Sequence, residues 1–78
     1  MATQILSLKY HKEISMYKVL VVEDEAIIRQ GLIQSIEWEA HDCRIVAEAK
    51  NGIEAVKQMK AHMPDMIFLE VNMPLMGG

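Results

Sequence analysis

The chain has 78 residues, 51% of them hydrophobic and 24% charged, and a net charge of −3. That length allows one small domain, and a chain of about this size buries only about 60% of its unfolded surface. The composition excludes a disordered tail, and the acidic balance argues against direct contact with nucleic acid, since no basic cluster exists beyond Lys9-Tyr10-His11-Lys12. The single cysteine, Cys43, excludes an internal disulfide and suits a reducing cytoplasm. No apolar run approaches the roughly 18 residues of a membrane span. The N-terminus also lacks the apolar core and small-residue cleavage site of a secretory signal. A cytoplasmic protein without membrane contact is the expectation.

Residues 1–15 show no clean period and read as an N-terminal appendage, as an upstream start of translation would leave. Ile5, Leu6, Leu8 and Tyr10 offer a short strand or helical turn, which orders only if it finds an apolar surface to cover. The regular pattern begins at Met16, so residues 16–78 form the domain. Tyr17 to Val22 is the first strand. Its Val19-Leu20-Val21-Val22 core is continuous and mostly β-branched, as in a strand buried on both faces. It ends in Glu23-Asp24-Glu25, with Asp24 placed to cap a helix. In that helix Ile28, Leu32 and Ile36 recur four apart, with Ile33 beside them, while Arg29, Gln30 and Gln34 are expected to face water. The helix fades near Trp38, which is expected to cover its end, and His41-Asp42 reads as a loop.

Cys43 to Ala49 is the second strand, and the charges of Arg44 and Glu48 mark it as an edge. Asn51 then caps a second helix, with Glu54 at the reciprocal position of a capping box. Val56, Met59 and Met63 are its expected apolar face, and Pro64 stops it. Met66 to Leu69 is the third strand, another unbroken apolar run. It reaches a single carboxylate, Glu70, before Asn72, Pro74 and two glycines end regular structure. The order is β-α-β-α-β. Right-handed crossovers make the three strands parallel, and the two continuous strands are expected to be neighbours. The fold class is therefore α/β: a doubly wound, flavodoxin-like parallel sheet with strand order 2-1-3, of which only this first portion is present.

In that order Glu23 and Asp24 emerge beside Glu70, at the strand ends where open α/β sheets bind ligands. Three carboxylates there raise one another's pKa unless a cation lies between them. Such a group suits Mg²⁺, which keeps several waters and takes one or two carboxylates, with the Asn72 carbonyl as a further oxygen. Taken singly, each acid also reads as an ordinary helix cap or solvated loop end. His41, Cys43 and His62 are candidate zinc ligands that lack the paired spacing of a finger. The seven methionines read as gap-filling core.

Three stretches resemble the receiver domain of bacterial two-component response regulators. They are Val19-Leu20-Val21-Val22-Glu23-Asp24-Glu25, Asn51-Gly52-Ile53-Glu54-Ala55, and Pro64-Asp65-Met66-Ile67 continuing through Glu70-Val71-Asn72-Met73-Pro74 to Gly77-Gly78. Ile36-Glu37-Trp38-Glu39 further resembles receivers that precede an AraC-type DNA-binding domain. The resemblance implies Glu23 and Asp24 as the acidic pair that holds Mg²⁺, the Asn72 carbonyl as a further ligand, and Glu70 at the phosphoacceptor position. It also implies a non-enzymatic signalling module in a phosphorelay, with a sensor histidine kinase as partner and an output domain for transcription regulation.

Two departures stand out. Glu70 replaces the family's aspartate, which implies impaired phosphorylation or mimicry of the charged state. The family's last two strands, its switch Ser/Thr and its phosphate-pairing Lys are absent from these 78 residues. Nothing is then expected to pair the outer edge of the third strand, which implies an unstable monomer or self-association. Two rival readings are a Toprim-like Mg²⁺-dependent enzyme of phosphoester or nucleic-acid chemistry and a non-functional gene fragment. The Toprim pattern wants paired aspartates where Glu70 and Asn72 stand, and a basic surface.

Overall fold

The two unbroken apolar runs lie side by side at the centre of one sheet. The structure, a computed structural model, describes residues 2–7 and 16–71. In chain order its elements are β1 (Ala2–Ser7), β2 (Tyr17–Val22), α1 (Ala26–Ser35), a 3-10 turn (Trp38–His41), β3 (Cys43–Ala49), α2 (Gly52–His62) and β4 (Met66–Val71). The strands form a four-stranded sheet in the order β1-β4-β2-β3. β2 pairs in parallel with both β3 and β4. The three parallel strands thus have the expected 2-1-3 arrangement, with the charge-interrupted strand outermost.

Burial follows from that placement. Val19, Leu20 and Val21 are at most 2% exposed, because β2 has a strand on each side and a helix over each face. On one face Val19, Val21 and Cys43 pack with Ile33 of α1, Trp38 and Phe68. On the other, Leu20, Val22, Ala49 and Ile67 pack with Ala55 and Met59 of α2. Trp38 closes the end of α1 as expected: its indole N–H donates to the Ile33 carbonyl at 3.2 Å, and its ring meets Phe68 edge-on at 5.1 Å.

The expectation of an unpaired outer edge on the third strand is wrong. Ala2–Ser7 pairs antiparallel along the whole of β4, from Ala2 opposite Val71 to Ser7 opposite Met66. The physical reason is visible in its composition. Ala2-Thr3-Gln4-Ile5-Leu6-Ser7 carries no charge and no proline, so it can complete the hydrogen-bond ladder that an apolar strand leaves open.

The helices differ from expectation in three details. Asp24 does not cap α1. The N-cap is Glu25, whose side chain makes no capping hydrogen bond, while its N–H donates to the Glu23 carboxylate. Arg29 does not face water; its side chain is only 16% exposed and engages Glu48. In α2, Val56 and Met63 point outward, 50% and 67% exposed, while Ala55 and Met59 face the sheet. The small Ala47 and Ala49 on that face of β3 admit the helix through Ala55. Met63 has left the helix for a left-handed conformation (φ 49°) before Pro64.

β3 also contains an irregularity that its sequence does not announce. Val19 pairs with Ile45, but Leu20 pairs with Ala47, so Val46 is an extra residue. A bulge reverses which residues face which side from there on. Ala47 and Ala49 turn toward α2, and Glu48, paired with Val21, turns toward α1.

Candidate functional site

The parallel pairing of β2 with β4 stops where β2 ends. Val22 pairs with Leu69, so the next residues, Glu23 and Glu70, stand beside one another at the C-terminal edge of the sheet. There a cleft of about 390 Å³ opens between the strand ends and the start of α2. Glu23, Asp24 and Glu70 line it, opposite Lys50, Asn51 and Gly52. The structure thus brings three of the four sequence-predicted site residues to one cleft. The fourth, Asn72, lies outside the described residues, as do Met73, Pro74, Gly77 and Gly78.

The three acids are not equivalent. Asp24 is exposed and Glu70 half-buried, whereas Glu23 is only 1% exposed. Glu23 is held at nearly every polar atom. Its N–H donates to the Ala49 carbonyl at 3.0 Å. Its carbonyl accepts from Arg29 Nη1 at 2.7 Å, and its Oε2 accepts from the Glu25 N–H at 2.7 Å. Oε1 alone, though buried, meets no donor. Burial pushes the Glu23 carboxyl above its ordinary range, and the neighbouring Asp24 carboxyl pushes it further. The Glu25 N–H pulls it back, while the charges of Asp24 and Glu25 add to the rise. Deprotonated, the carboxylate is thus short of positive charge on one side, and a proton or a cation would relieve it.

A donor-less buried oxygen beside an exposed aspartate fits a hydrated divalent cation better than a dry cage. Mg²⁺ takes one or two carboxylates and keeps much of its water. Among the described residues no three His, Cys, Asp or Glu side chains meet closely enough to hold an ion by themselves. Glu70 thus shares the cleft with Glu23 and Asp24 without forming a three-carboxylate cage with them. Cys43 is engaged otherwise than as a metal ligand: it is buried, its thiol donates to the His41 carbonyl, and burial pushes its pKa up.

The far wall of the cleft is the start of α2. There the capping box read from the sequence is present in a shifted form. Asn51 Oδ1 accepts from the Glu54 N–H at 2.8 Å, and Glu54 Oε1 accepts from the Lys50 N–H at 3.0 Å rather than from Asn51.

Sequence reasoning missed Arg29, Glu48 and Asp65. Asp65 is buried at the opposite end of the sheet, where its Oδ2 accepts from the Lys18 N–H and its own N–H donates to the Lys18 carbonyl, both at 2.8 Å. An acid directly after a helix-stopping proline and before a buried strand was the available signal.

Parallel β2 and β4 delivering acids to one edge, with helices on both faces, define a doubly wound α/β domain whose site lies at the strand ends. Comparison with known proteins places it further. The response regulator receiver domain family matches residues 19–78, and the chain belongs to that family. The chain is 38% identical over 63 residues to an uncharacterized response regulatory protein of Staphylococcus epidermidis, covering 81% of this chain and 25% of that one. It is 36% identical over 63 residues, with the same coverage, to the transcriptional regulatory protein HptR of Staphylococcus aureus. The chain thus spans about a quarter of the length of these relatives. No solved structure matches it significantly. Among the described residues no helix is long and apolar enough to cross a membrane.

Proposed function

We propose that this chain is a receiver module of a phosphorelay in which Glu23 and Asp24 hold Mg²⁺, Glu70 occupies the phosphoacceptor position, and phosphoryl transfer is impaired. The observation that carries this reading is the buried Glu23 Oε1, which meets no donor and belongs to the residue just past the end of β2, beside Glu70. Mg²⁺, when bound, supplies positive charge against the carboxylates and a phosphoryl group. The chain's own residues then have separate tasks. Glu23 presents one oxygen from a fixed backbone, Asp24 adds an exposed carboxylate, and Glu70 presents a carboxylate from the end of β4. The Asn72 carbonyl belongs to the same proposed set.

The impairment follows from length. A glutamate carboxylate stands one methylene, about 1.5 Å, beyond that of an aspartate. Misplacement on the order of 1 Å costs about 100-fold in a positioned reaction. The same reach carries a negative charge toward the place a phosphoryl oxygen would take, so Glu70 mimics part of the charged state. The partner implied is a sensor histidine kinase acting in the cytoplasm on residues 16–78 as the receiver. Similarity to the transcriptional regulatory protein HptR of Staphylococcus aureus supports transcription regulation as the output. An AraC-type DNA-binding segment as its carrier rests only on the resemblance of Ile36-Glu37-Trp38-Glu39.

Acetyl phosphate with Mg²⁺ tests this, read by intact-protein and peptide mass spectrometry. Glu70→Asp is expected to gain a phosphoryl adduct at residue 70, with the wild-type chain slower by about 100-fold. An adduct forming on Glu70 as fast as on the aspartate sinks the impairment. No adduct on either protein sinks the receiver reading itself.

A further inference from the structure

Arg29 joins three elements at one point. From the first turns of α1, its Nη1 donates to the Glu23 carbonyl at 2.7 Å, and its Nε donates to Glu48 Oε1 of β3 at 3.0 Å. Gln30 Nε2 donates to the same Glu48 oxygen at 2.9 Å. The guanidinium side chain is 16% exposed, so it is held between the helix and the sheet and is not a solvated surface charge. Glu48 reaches it only because of the bulge at Val46. In a regular ladder Glu48 would face α2; the extra residue turns it to the α1 face.

The contact falls on the backbone of the residue that carries the cleft's donor-less oxygen. Arg29 meets Glu23 at the backbone carbonyl, through Nη1. Its effect on Glu23 is therefore one of geometry. With Ala49 holding the Glu23 N–H and Arg29 holding the Glu23 carbonyl, the peptide at the end of β2 is fixed on both sides. With that backbone fixed, the single Glu25 N–H keeps Oε2 engaged and leaves Oε1 without a donor.

We infer that Arg29, held by Glu48 across the bulge of β3, is a positioning residue that fixes Glu23 so that its open carboxylate oxygen stays aimed at a divalent cation. This deepens the Mg²⁺ reading above and rests on it. The fork of the guanidinium is essential, because two donors must reach Glu48 and the Glu23 carbonyl at once. A lysine keeps the charge but offers one compact ammonium.

The experiment uses the whole chain, uniformly ¹⁵N-labelled, as wild type, Arg29→Lys, Arg29→Ala and, as a charge-loss control on the outer face of α2, Lys60→Ala. The first readout is amide hydrogen exchange without metal. The Glu25 N–H is expected to lose protection on the order of 10-fold in both Arg29 variants, with Leu20 and Ile67 in the sheet unchanged relative to each variant's own melting point. The second is MgCl₂ titration followed by amide shifts at Glu23, Asp24 and Glu25. Groups that orient a metal ligand are worth about 10–100-fold in affinity, and a loss in that range is expected for both Arg29 variants but not for Lys60→Ala. Unchanged protection at Glu25 in Arg29→Lys overturns the inference whatever the titration shows. So does a lysine variant that binds Mg²⁺ as the wild type does, since charge and not geometry would then be at work. If Glu25 loses protection as expected but the wild-type amides do not respond to Mg²⁺, Arg29 fixes Glu23 while the cation reading, and the purpose assigned to Arg29 with it, fails.

Discussion

A buried carboxylate lies near each end of β2, and the two make different attachments. Glu23 and Asp65 are both only 1% exposed. At the start of β2, Asp65 is locked into a reciprocal exchange with Lys18, a residue 47 positions away, through its side chain and its own N–H. It joins β4 to β2 where the strands begin, and Lys18 Nζ adds a bond to the His62 carbonyl at the end of α2. At the far end, Glu23 receives its side-chain bond from a residue two positions on, and its second oxygen meets no donor. Asp65 likewise offers only Oδ2 to its exchange and keeps Oδ1 buried beside it. What separates the two acids is place: Asp65 ties β4 to β2 where the strands begin, whereas Glu23 lines the cleft with Asp24 and Glu70. Burial and the bonds of its oxygens alone do not distinguish a structural acid from a binding one.

The contrast is sharpest in stability. Asp65→Ala removes the acceptor of the buried Lys18 N–H and is expected to cost about 1.5–3 kcal/mol, measured by urea unfolding. An unchanged midpoint would remove Asp65 from the structural role. Glu23→Gln should act in the opposite direction. The amide keeps an oxygen for the Glu25 N–H and turns its NH₂ toward Asp24, so the metal-free protein is expected to gain on the order of 1 kcal/mol at pH 7.

The pH dependence of that gain follows from the raised pKa of Glu23. The wild type binds this proton more tightly when folded, so its stability is full below the ordinary value of 4.5 and falls as pH rises through the raised one. The advantage of Glu23→Gln should therefore appear above pH 4.5, vanish below it, and reverse in excess Mg²⁺, which stabilises only a chain able to bind it. Thermal melts at several pH values, with and without MgCl₂, check all three.

The smallest effect concerns the two helix starts. α2 is closed by its own side chains, whereas α1 has no side-chain cap and depends on Glu23. Asn51→Ala is expected to cost about 1 kcal/mol in the same melts, with no dependence on Mg²⁺. A Mg²⁺-dependent loss would show that the start of α2 belongs to the site.

Much of this was legible in the residues. The mostly β-branched run Val19–Val22 and the run Met66–Leu69, each bounded by turn signals, read as central strands, and Arg44 and Glu48 mark an edge. Asn51 with Glu54 announces a capped helix because the interaction spans three residues. The acids of the cleft were legible for the same local reason, since each directly follows an apolar run.

Local pattern therefore controls the three parallel strands, their order, the two helices and the placing of Glu23, Asp24 and Glu70 at one edge. The rest depends on how distant segments meet in the folded chain. The tertiary structure paired Ala2–Ser7 with β4, because an open ladder accepts any uncharged, proline-free strand within reach, and no period in that segment announces it. It also placed the bulge at Val46, which alone turns Glu48 to Arg29. Finally, it separated Glu23 from Asp65: their burial is equal, but Asp65 bonds across the strands to Lys18 while Glu23 lines the cleft beside Glu70.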